Sequence, residues 1–490
     1  MKKTVSLILV IAMLIVSLTA CGAKTEKIKM NAVAEGSIFG GKSDDKIEVE
    51  VSFDPKWITK DSNTVYNPDL AQFCVLLSAD SYFRAKDLDK GRQNRVLLDG
   101  NGEEYEMTSF LSAVGFTETE HYESFSATAD PTDPNDSVTL NIGHQTFDGK
   151  YDLFAVVIRG CFSWQEWSSA FDPGCIDEKY EELTGSHPDW THKNILKGID
   201  VAANRALAFI KDFMAKNNDG KLPDRILLTG HSRGGTIANV LGAYFEKETD
   251  VGSYTYTFNS VPAARALSVD SDAVFPKDTG SYKTIFNVFD EGDFFTDPFP
   301  FENGKFSRFG TDMTVSVADN ETVRAKIAEL KGRDDYVSVP KETADEYRRL
   351  FAERFPDREK LCETETLTFT YDNEEKAAAG RDELAALVGA ESGLGLEDLC
   401  RVGDVSTTAD GKFEVTVAYF GLTWLRSYAK ILAYGKTAYD AAAKLFAGDE
   451  IGCRIAKLIA ENAASISGGH LLANTYVVAG VVTDKDALKK

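Results

Sequence analysis

The chain has 490 residues, 43% of them hydrophobic and 27% charged, the balance of a folded protein rather than a disordered one. That length exceeds one minimal domain and leaves room for a large core plus an insertion or a second domain. The formal net charge of −23, with no dense Lys/Arg run, excludes a nucleic-acid-binding protein, which needs a basic face, and describes a solvated acidic surface.

Lys2 and Lys3 precede an apolar stretch over residues 5–16 that only Ser6 interrupts. The stretch is too short to span a bilayer and has the length of a signal-peptide core. Leu18-Thr19-Ala20-Cys21-Gly22 follows and resembles the bacterial lipobox. The resemblance implies removal of residues 1–20, acylation of Cys21, and anchoring at the outer face of the cytoplasmic membrane. Residues 21–46 are polar and rich in Gly, Lys and Ser, and are expected to form a flexible tether. Of the other six cysteines only Cys161 and Cys175 are close in sequence. There is no CxxC pair and there are six histidines in all, so neither a disulfide framework nor a structural zinc site is expected.

Residues 47–53 alternate apolar and charged side chains, as a half-buried strand does. Residues 68–83 place Leu70, Phe73, Leu76 and Leu77 on one helical face, residues 110–116 read as a short helix and its exit, and residues 130–136, with two prolines, as a loop. Beyond them the pattern becomes strand (153–158), helix (195–213), turn (217–223), strand (225–229), helix (236–245), strand (254–258) and strand (284–289). Short Val/Ile-rich runs alternating with helices indicate a mostly parallel central sheet with helices on both faces, an α/β fold occupying 47–311. Residues 312–467 differ. They carry charged helices at 321–331, 341–355 and 374–388, more apolar helices at 422–432 and 438–446, and strands at 365–371 and 412–420. This reads as a mostly helical insertion, after which residues 468–490 return to the core. The apolar richness of 415–447 is the only later segment that invites comparison with a membrane span.

Gly230-His231-Ser232-Arg233-Gly234 has the form G-x-S-x-G, a serine on a sharp strand-to-helix turn. The bend lifts the hydroxyl clear of the sheet, the glycines remove side chains that would clash, and the helix aims its first amides at a developing oxyanion. The pattern is common in isolation. The strand Ile226-Leu227-Leu228 before it and the small residues Thr236, Ala238 and Ala243 after it supply the context it requires. A serine nucleophile needs a base and the base an orienting carboxylate, in the order serine, acid, histidine. His470, in Gly468-Gly469-His470-Leu471-Leu472, which reads as a glycine-rich loop entering an apolar segment, is the only histidine after Ser232. Asp290, Asp293 and Asp297 all follow the strand at 284–289, and spacing does not choose among them.

These segments together resemble the class 3 (fungal-type) lipase family, and within it bacterial lipase-like hydrolases. Asn67-Pro68-Asp69-Leu70-Ala71 with Leu77-Ser78-Ala79 is similar to an N-terminal helix of bacterial members. Ala155-Val156-Val157-Ile158-Arg159-Gly160-Cys161 with Glu166-Trp167 resembles a strand-Arg-Gly-Thr motif and its Glu-Trp, residues 230–235 the elbow, and residues 256–262, 285–289 and 293 the family's later strand motifs. The resemblance covers about residues 65–312 and the surroundings of His470. It implies an α/β-hydrolase fold, Ser232, Asp293 and His470 as the triad with Asp290 as second choice for the acid, and the amides of Cys161 and Arg233 as the oxyanion hole. It further implies an ester or lipid substrate and no metal or organic cofactor. Three departures stand out: a thiol at Cys161 where a hydroxyl is usual, Arg233 for a common leucine, and a histidine much later than usual, which requires 312–467 to be inserted. Phe162, Trp164, Trp167 and Phe171 lie where lipases carry a lid, with burial in a core as the alternative. Tyr419, Phe420, Trp424, Tyr428 and Tyr434 read as the insertion's own core rather than an acyl groove. A non-catalytic lipid- or wall-binding surface lipoprotein, and an acyltransferase or amidase with the same triad, are the competing functions.

Overall fold

The structure is a computed structural model and describes residues 28–34, 45–58, 62–81, 97–98, 111–123 except 113, 137–161 except 148 and 150, 166, 170, 195–265, 279–295, and 306–470 except 333–336, 357–358, 390–393 and 398, together with 480 and 488. In chain order its elements are β1 (Ile28–Ala34), β2 (Asp45–Val51), α1 (Pro68–Asp80), β3 (Leu97–Leu98), β4 (Glu118–Glu123), β5 (Thr139–Phe147), β6 (Tyr151–Ile158), α2 (Lys197–Asn217), β7 (Arg225–His231), α3 (Arg233–Glu248), β8 (Gly252–Phe258), β9 (Ala264–Arg265), β10 (Ile285–Asp290), β11 (Phe306–Ser307) and β12 (Thr311–Val315). Then follow α4 (Glu321–Lys331), α5 (Lys341–Arg354), α6 (Glu359–Cys362), β13 (Thr364–Tyr371), α7 (Glu374–Val388), β14 (Cys400–Val402), β15 (Ser406–Thr407), β16 (Phe413–Phe420), α8 (Leu422–Tyr434), α9 (Lys436–Leu445), α10 (Glu450–Glu461) and α11 (Ala463–His470).

Seven strands form the central sheet in the order β12-β10-β8-β7-β6-β5-β4. The five from β12 to β6 are mutually parallel, and β5 and β4 close the edge antiparallel. Burial on both faces explains the near-continuous apolar runs of the inner strands. In β6, Phe154, Val156 and Ile158 enter one core while Leu153, Ala155 and Val157 enter the other, and in β7 Ile226 and Leu228 oppose Leu227. The first core is covered by α2 and α3, the second by α1 and α4. Helix α1 starts where Asn67 caps the amides of Asp69 and Leu70 at 3.0 and 3.2 Å, with Pro68 in the first turn. Its Leu70, Phe73, Leu76 and Leu77 are buried, each stabilising the fold by about 2 kcal/mol relative to exposure. This is an α/β-hydrolase fold.

Residues 321–470 add α4 to α11 and a second, antiparallel sheet with β16 between β13 and β14, and β15 also paired to β16. Helices make up most of residues 321–470, those at 321–331 and 374–388 have the predicted bounds, and the strands expected at 365–371 and 412–420 pair with each other as β13 and β16. Trp424 stacks on Tyr428 at 5.3 Å and meets Phe446 at 4.3 Å, and Tyr419 meets Phe446 at 5.0 Å; these aromatics are buried, but in a core continuous with the first core of the sheet rather than one of the insertion's own. Phe420 is half-buried and Tyr434 exposed. No helix among the described residues is long and apolar enough to cross a membrane, and 415–447 breaks into β16, α8 and α9.

Three expectations need correction, and two edge strands are added. Residues 28–34, inside the expected tether, form β1 and pair antiparallel with β2 in full register, Ile28 opposite Val51. The central sheet runs past 311, because β12 pairs with β10 through Val315. The edge strands β4 and β5 were not foreseen, since polar residues such as Asn141, His144 and Gln145 interrupt their apolar pattern. His470 ends a helix instead of lying in a loop: Gly468 and Gly469 continue α11, and Gly469 packs closely against Ser338. Cys74, Cys161, Cys400 and Cys453 are not in disulfides, so Cys161 does not pair with Cys175. Cys21, Cys175, the loop at 130–136, the aromatics 162, 164, 167 and 171, and Asp297 lie outside the described residues.

Candidate active site

Strand β7 ends at His231 and α3 begins at Arg233, so Ser232 alone makes the bend. Its backbone sits at φ +55°, ψ −130°, a conformation that costs a non-glycine residue about 1–3 kcal/mol. The strain is held by three bonds: the Ser232 amide donates to Phe258 O at 2.9 Å, and the Thr236 amide and hydroxyl donate to Ser232 O at 3.0 and 3.2 Å. Glycine is required on either side for want of space. A Cβ on Gly230 would lie 2.5 Å from the Gly234 carbonyl carbon and 2.7 Å from Ile158 O. On Gly234 it would fall on Ile158 O and within 2.5 Å of the Arg159 carbonyl. The end of β6 thus presses against the elbow, and Cys161, three residues beyond it, lies near Arg233 at the start of α3.

Asp293 follows β10 in a tight turn in which its amide donates to Asp290 O at 3.1 Å. Ser232 Oγ and His470 Nε2 are 2.9 Å apart, and His470 Nδ1 donates to Asp293 Oδ2 at 2.6 Å. The second Asp293 oxygen, Oδ1, accepts the Phe295 amide at 2.9 Å. The structure therefore joins a hydroxyl, an imidazole and a carboxylate from three distant parts of the chain, with Ser232, His470 and Asp293 each at most 5% exposed. Such a chain can lower the cost of removing the serine proton and hold the charge that results.

Asp290 does something else. Its Oδ1 accepts the amides of Gly292 at 3.2 Å and Val317 at 3.0 Å, so it ties β10 to the segment after β12. Burial pushes its carboxyl up to about 7, with the neighbouring Asp293 charge adding to the rise and the Ser338 hydroxyl and the two amides opposing it. The base has its own supports. His231 Nε2 donates to His470 O at 2.7 Å, their rings lie 4.7 Å apart, Asn259 Nδ2 donates to Gly469 O at 3.2 Å, and Phe295 meets the His470 ring edge-on at 5.2 Å. Sequence reasoning missed His231, Asn259 and Phe295 in these roles. Their only trace is position, beside the elbow, at the exit of β8 and beside the acid.

Beside Cys161 lies a buried charge cluster. Arg159 Nη2 donates to Glu166 Oε1 at 3.1 Å, Ser137 Oγ donates to the same oxygen at 3.0 Å, and both charged side chains are at most 3% exposed. This pair explains physically why the Arg-Gly and Glu-Trp fragments occur together. Arg233 is buried too, and its Nη2 reaches Gly198 O of α2 at 3.4 Å, so its side chain joins helices while its amide stays at the elbow. Burial pushes the Cys161 thiol well above its ordinary range, against the nearby Arg233 charge, and leaves it a neutral thiol. Glu166→Gln should destabilise the fold by about 3 kcal/mol, because it leaves the buried Arg159 guanidinium short of its carboxylate. Equilibrium urea unfolding would read the loss as a lower midpoint at unchanged m-value.

No family model matches the chain, and no curated protein matches it. Among solved structures, a triacylglycerol lipase with a serine-protease-like triad matches at 14% identity and TM-score 0.31, covering 52% of this chain and 83% of that one. The triacylglyceride lipase of Rhizomucor miehei matches at 14% identity and TM-score 0.29, covering 51% and 80%, and M37 lipase at 9% identity and TM-score 0.28, covering 59% and 81%. Likeness this distant carries no argument about chemistry, and the fold is read from the strand order of the chain itself.

Proposed function

We propose that the protein hydrolyses carboxylic esters, lipids among them, through an acyl-enzyme on Ser232. The observation that supports this reading is the continuous hydrogen-bonded chain from Ser232 Oγ through His470 to Asp293. As Ser232 Oγ attacks the ester carbonyl carbon, its proton passes to His470 Nε2. Asp293 stabilises the imidazolium through the Nδ1–H bond, and the Cys161 and Arg233 amides hold the oxyanion. Collapse breaks the bond to the alkoxy oxygen, which leaves as the alcohol with the Nε2 proton. Water then attacks the acyl carbon, gives its proton to His470, and the acid departs as Ser232 recovers a proton. This chemistry calls for no metal or organic cofactor.

The test is hydrolysis of p-nitrophenyl esters of graded chain length, together with labelling by a fluorophosphonate followed by peptide mapping. The reading holds if the label falls on Ser232 and turnover falls by about 10⁵-fold or more in Ser232→Ala. Turnover of wild type that persists in the variant would overturn it.

We also propose that the chain is exported and held at the outer face of the bacterial cytoplasmic membrane by acylated Cys21, on the strength of the Leu18-Thr19-Ala20-Cys21 sequence. Expressed in bacteria, wild type should partition into the detergent phase of Triton X-114 and Cys21→Ala into the aqueous phase. Equal partitioning of the two would refute the anchor.

A further inference from the structure

The insertion touches the proposed site at three points. Val337, Ser338 and Val339 are buried; Ser338 and Val339 lie against the turn that carries Asp293, and Ser338 also against the helix that carries His470. A Cβ on Gly292, immediately before Asp293, would lie 2.6 Å from Val339 O and 3.0 Å from Ser338 Cβ. A Cβ on Gly469, immediately before His470, would lie 2.6 Å from the same Ser338 Cβ and 2.7 Å from its Cα. One serine is thus seated against both glycines, and backbone-to-backbone approach is possible because neither glycine has a side chain. Phe294, immediately after Asp293, stacks on Tyr347 of α5 with centroids 4.4 Å apart and planes at 7°. From the next residue of α5, Arg348 Nη2 donates to Glu291 O at 2.8 Å.

The acid and the base reach each other across 177 residues, with the base on the eight-residue helix that ends the insertion. Nothing local in sequence sets their separation, so it has to be fixed by packing. Close interdigitation of this kind resists compression and transmits position.

We propose that residues 337–348 are a positioning element of the triad: the Ser338 wedge and the Tyr347–Phe294 stack fix the Asp293 turn and the His470 helix at hydrogen-bonding distance. The inference rests on the serine-hydrolase reading. It gives the insertion a part in catalysis although it supplies neither nucleophile nor acid. Displacing a reacting group by about 1 Å costs on the order of 100-fold in rate, so a loosened wedge acts on kcat before it unfolds the protein.

The experiment compares Tyr347→Ala, Tyr347→Phe and Ser338→Val in the full chain, at a temperature where circular dichroism shows each folded. Tyr347→Phe keeps the stack and should match wild type. Tyr347→Ala and Ser338→Val should lower kcat by about 30-fold or more with KM within about twofold, and should slow fluorophosphonate labelling of Ser232 in parallel. If Tyr347→Ala does not fold, Tyr347→Leu, which keeps volume without a stacking ring, is read by the same criterion. A kcat within twofold of wild type in the folded variants, or a fall in thermal midpoint alone, would overturn the positioning role. Wild type that neither turns over esters nor labels at Ser232 would instead overturn the hydrolase reading.

Discussion

Ser232→Ala and His470→Ala should each reduce kcat for a p-nitrophenyl ester by about 10⁵–10⁶-fold, and the double variant should be no slower than either alone. The reason is that the 2.9 Å contact between Ser232 Oγ and His470 Nε2 makes the two a single device. A serine hydroxyl without a base is a poor nucleophile at neutral pH, and a base without its hydroxyl has nothing to activate. Losses that multiplied in the double variant would mean that the two act independently, and the acyl-enzyme scheme would fail. Residual turnover over water should survive in all three, since the amides of Cys161 and Arg233 are backbone groups that these substitutions leave in place.

Asp293→Asn should lower kcat by about 10⁴-fold while Asp290→Asn leaves it within a few-fold, although the two carboxylates are three residues apart. Asp293 accepts the His470 Nδ1 proton at 2.6 Å, and an amide nitrogen presented there would favour the wrong imidazole tautomer. Asp290 Oδ1 accepts the backbone amides of Gly292 and Val317, which an Asn carbonyl can also accept. The two also differ in how stability follows pH. The Asp290 carboxyl is pushed up to about 7 by burial, against about 3.9 in an unfolded chain. Between those values the folded protein holds a proton that the unfolded chain has released. This contribution is fully present below about pH 4, is lost progressively as pH rises toward 7, and is flat above. Asp290→Asn removes the slope, so its thermal midpoint relative to wild type should rise from pH 5 to pH 8. If the variant tracks wild type at every pH, Asp290 is ionised throughout and its burial does not govern it. A large kcat loss in Asp290→Asn with none in Asp293→Asn would reverse the assignment of the acid.

Much of this was legible in the residues. The apolar runs Leu153–Ile158 and Ile226–Leu228 are strands because burial on both faces demands unbroken apolar sequence. Gly230, Ser232 and Gly234 betray the elbow because no side chain fits where the end of β6 meets it. The helices at 321–331 and 374–388 announce their ends through the caps Asn320 and Asn373 and through Gly332 in the left-handed region.

The order serine, aspartate, histidine, the elbow and the parallel core were determined by the sequence alone, because each is a local matter of periodicity, turn sterics and residue type. Only the tertiary structure decided which of two neighbouring aspartates meets His470, that His470 ends a helix, that residues 28–34 are a strand, and that Ser338 and Tyr347 bear on the site. These depend on contacts between residues far apart in the chain, where packing sets distance and no spacing rule reports it.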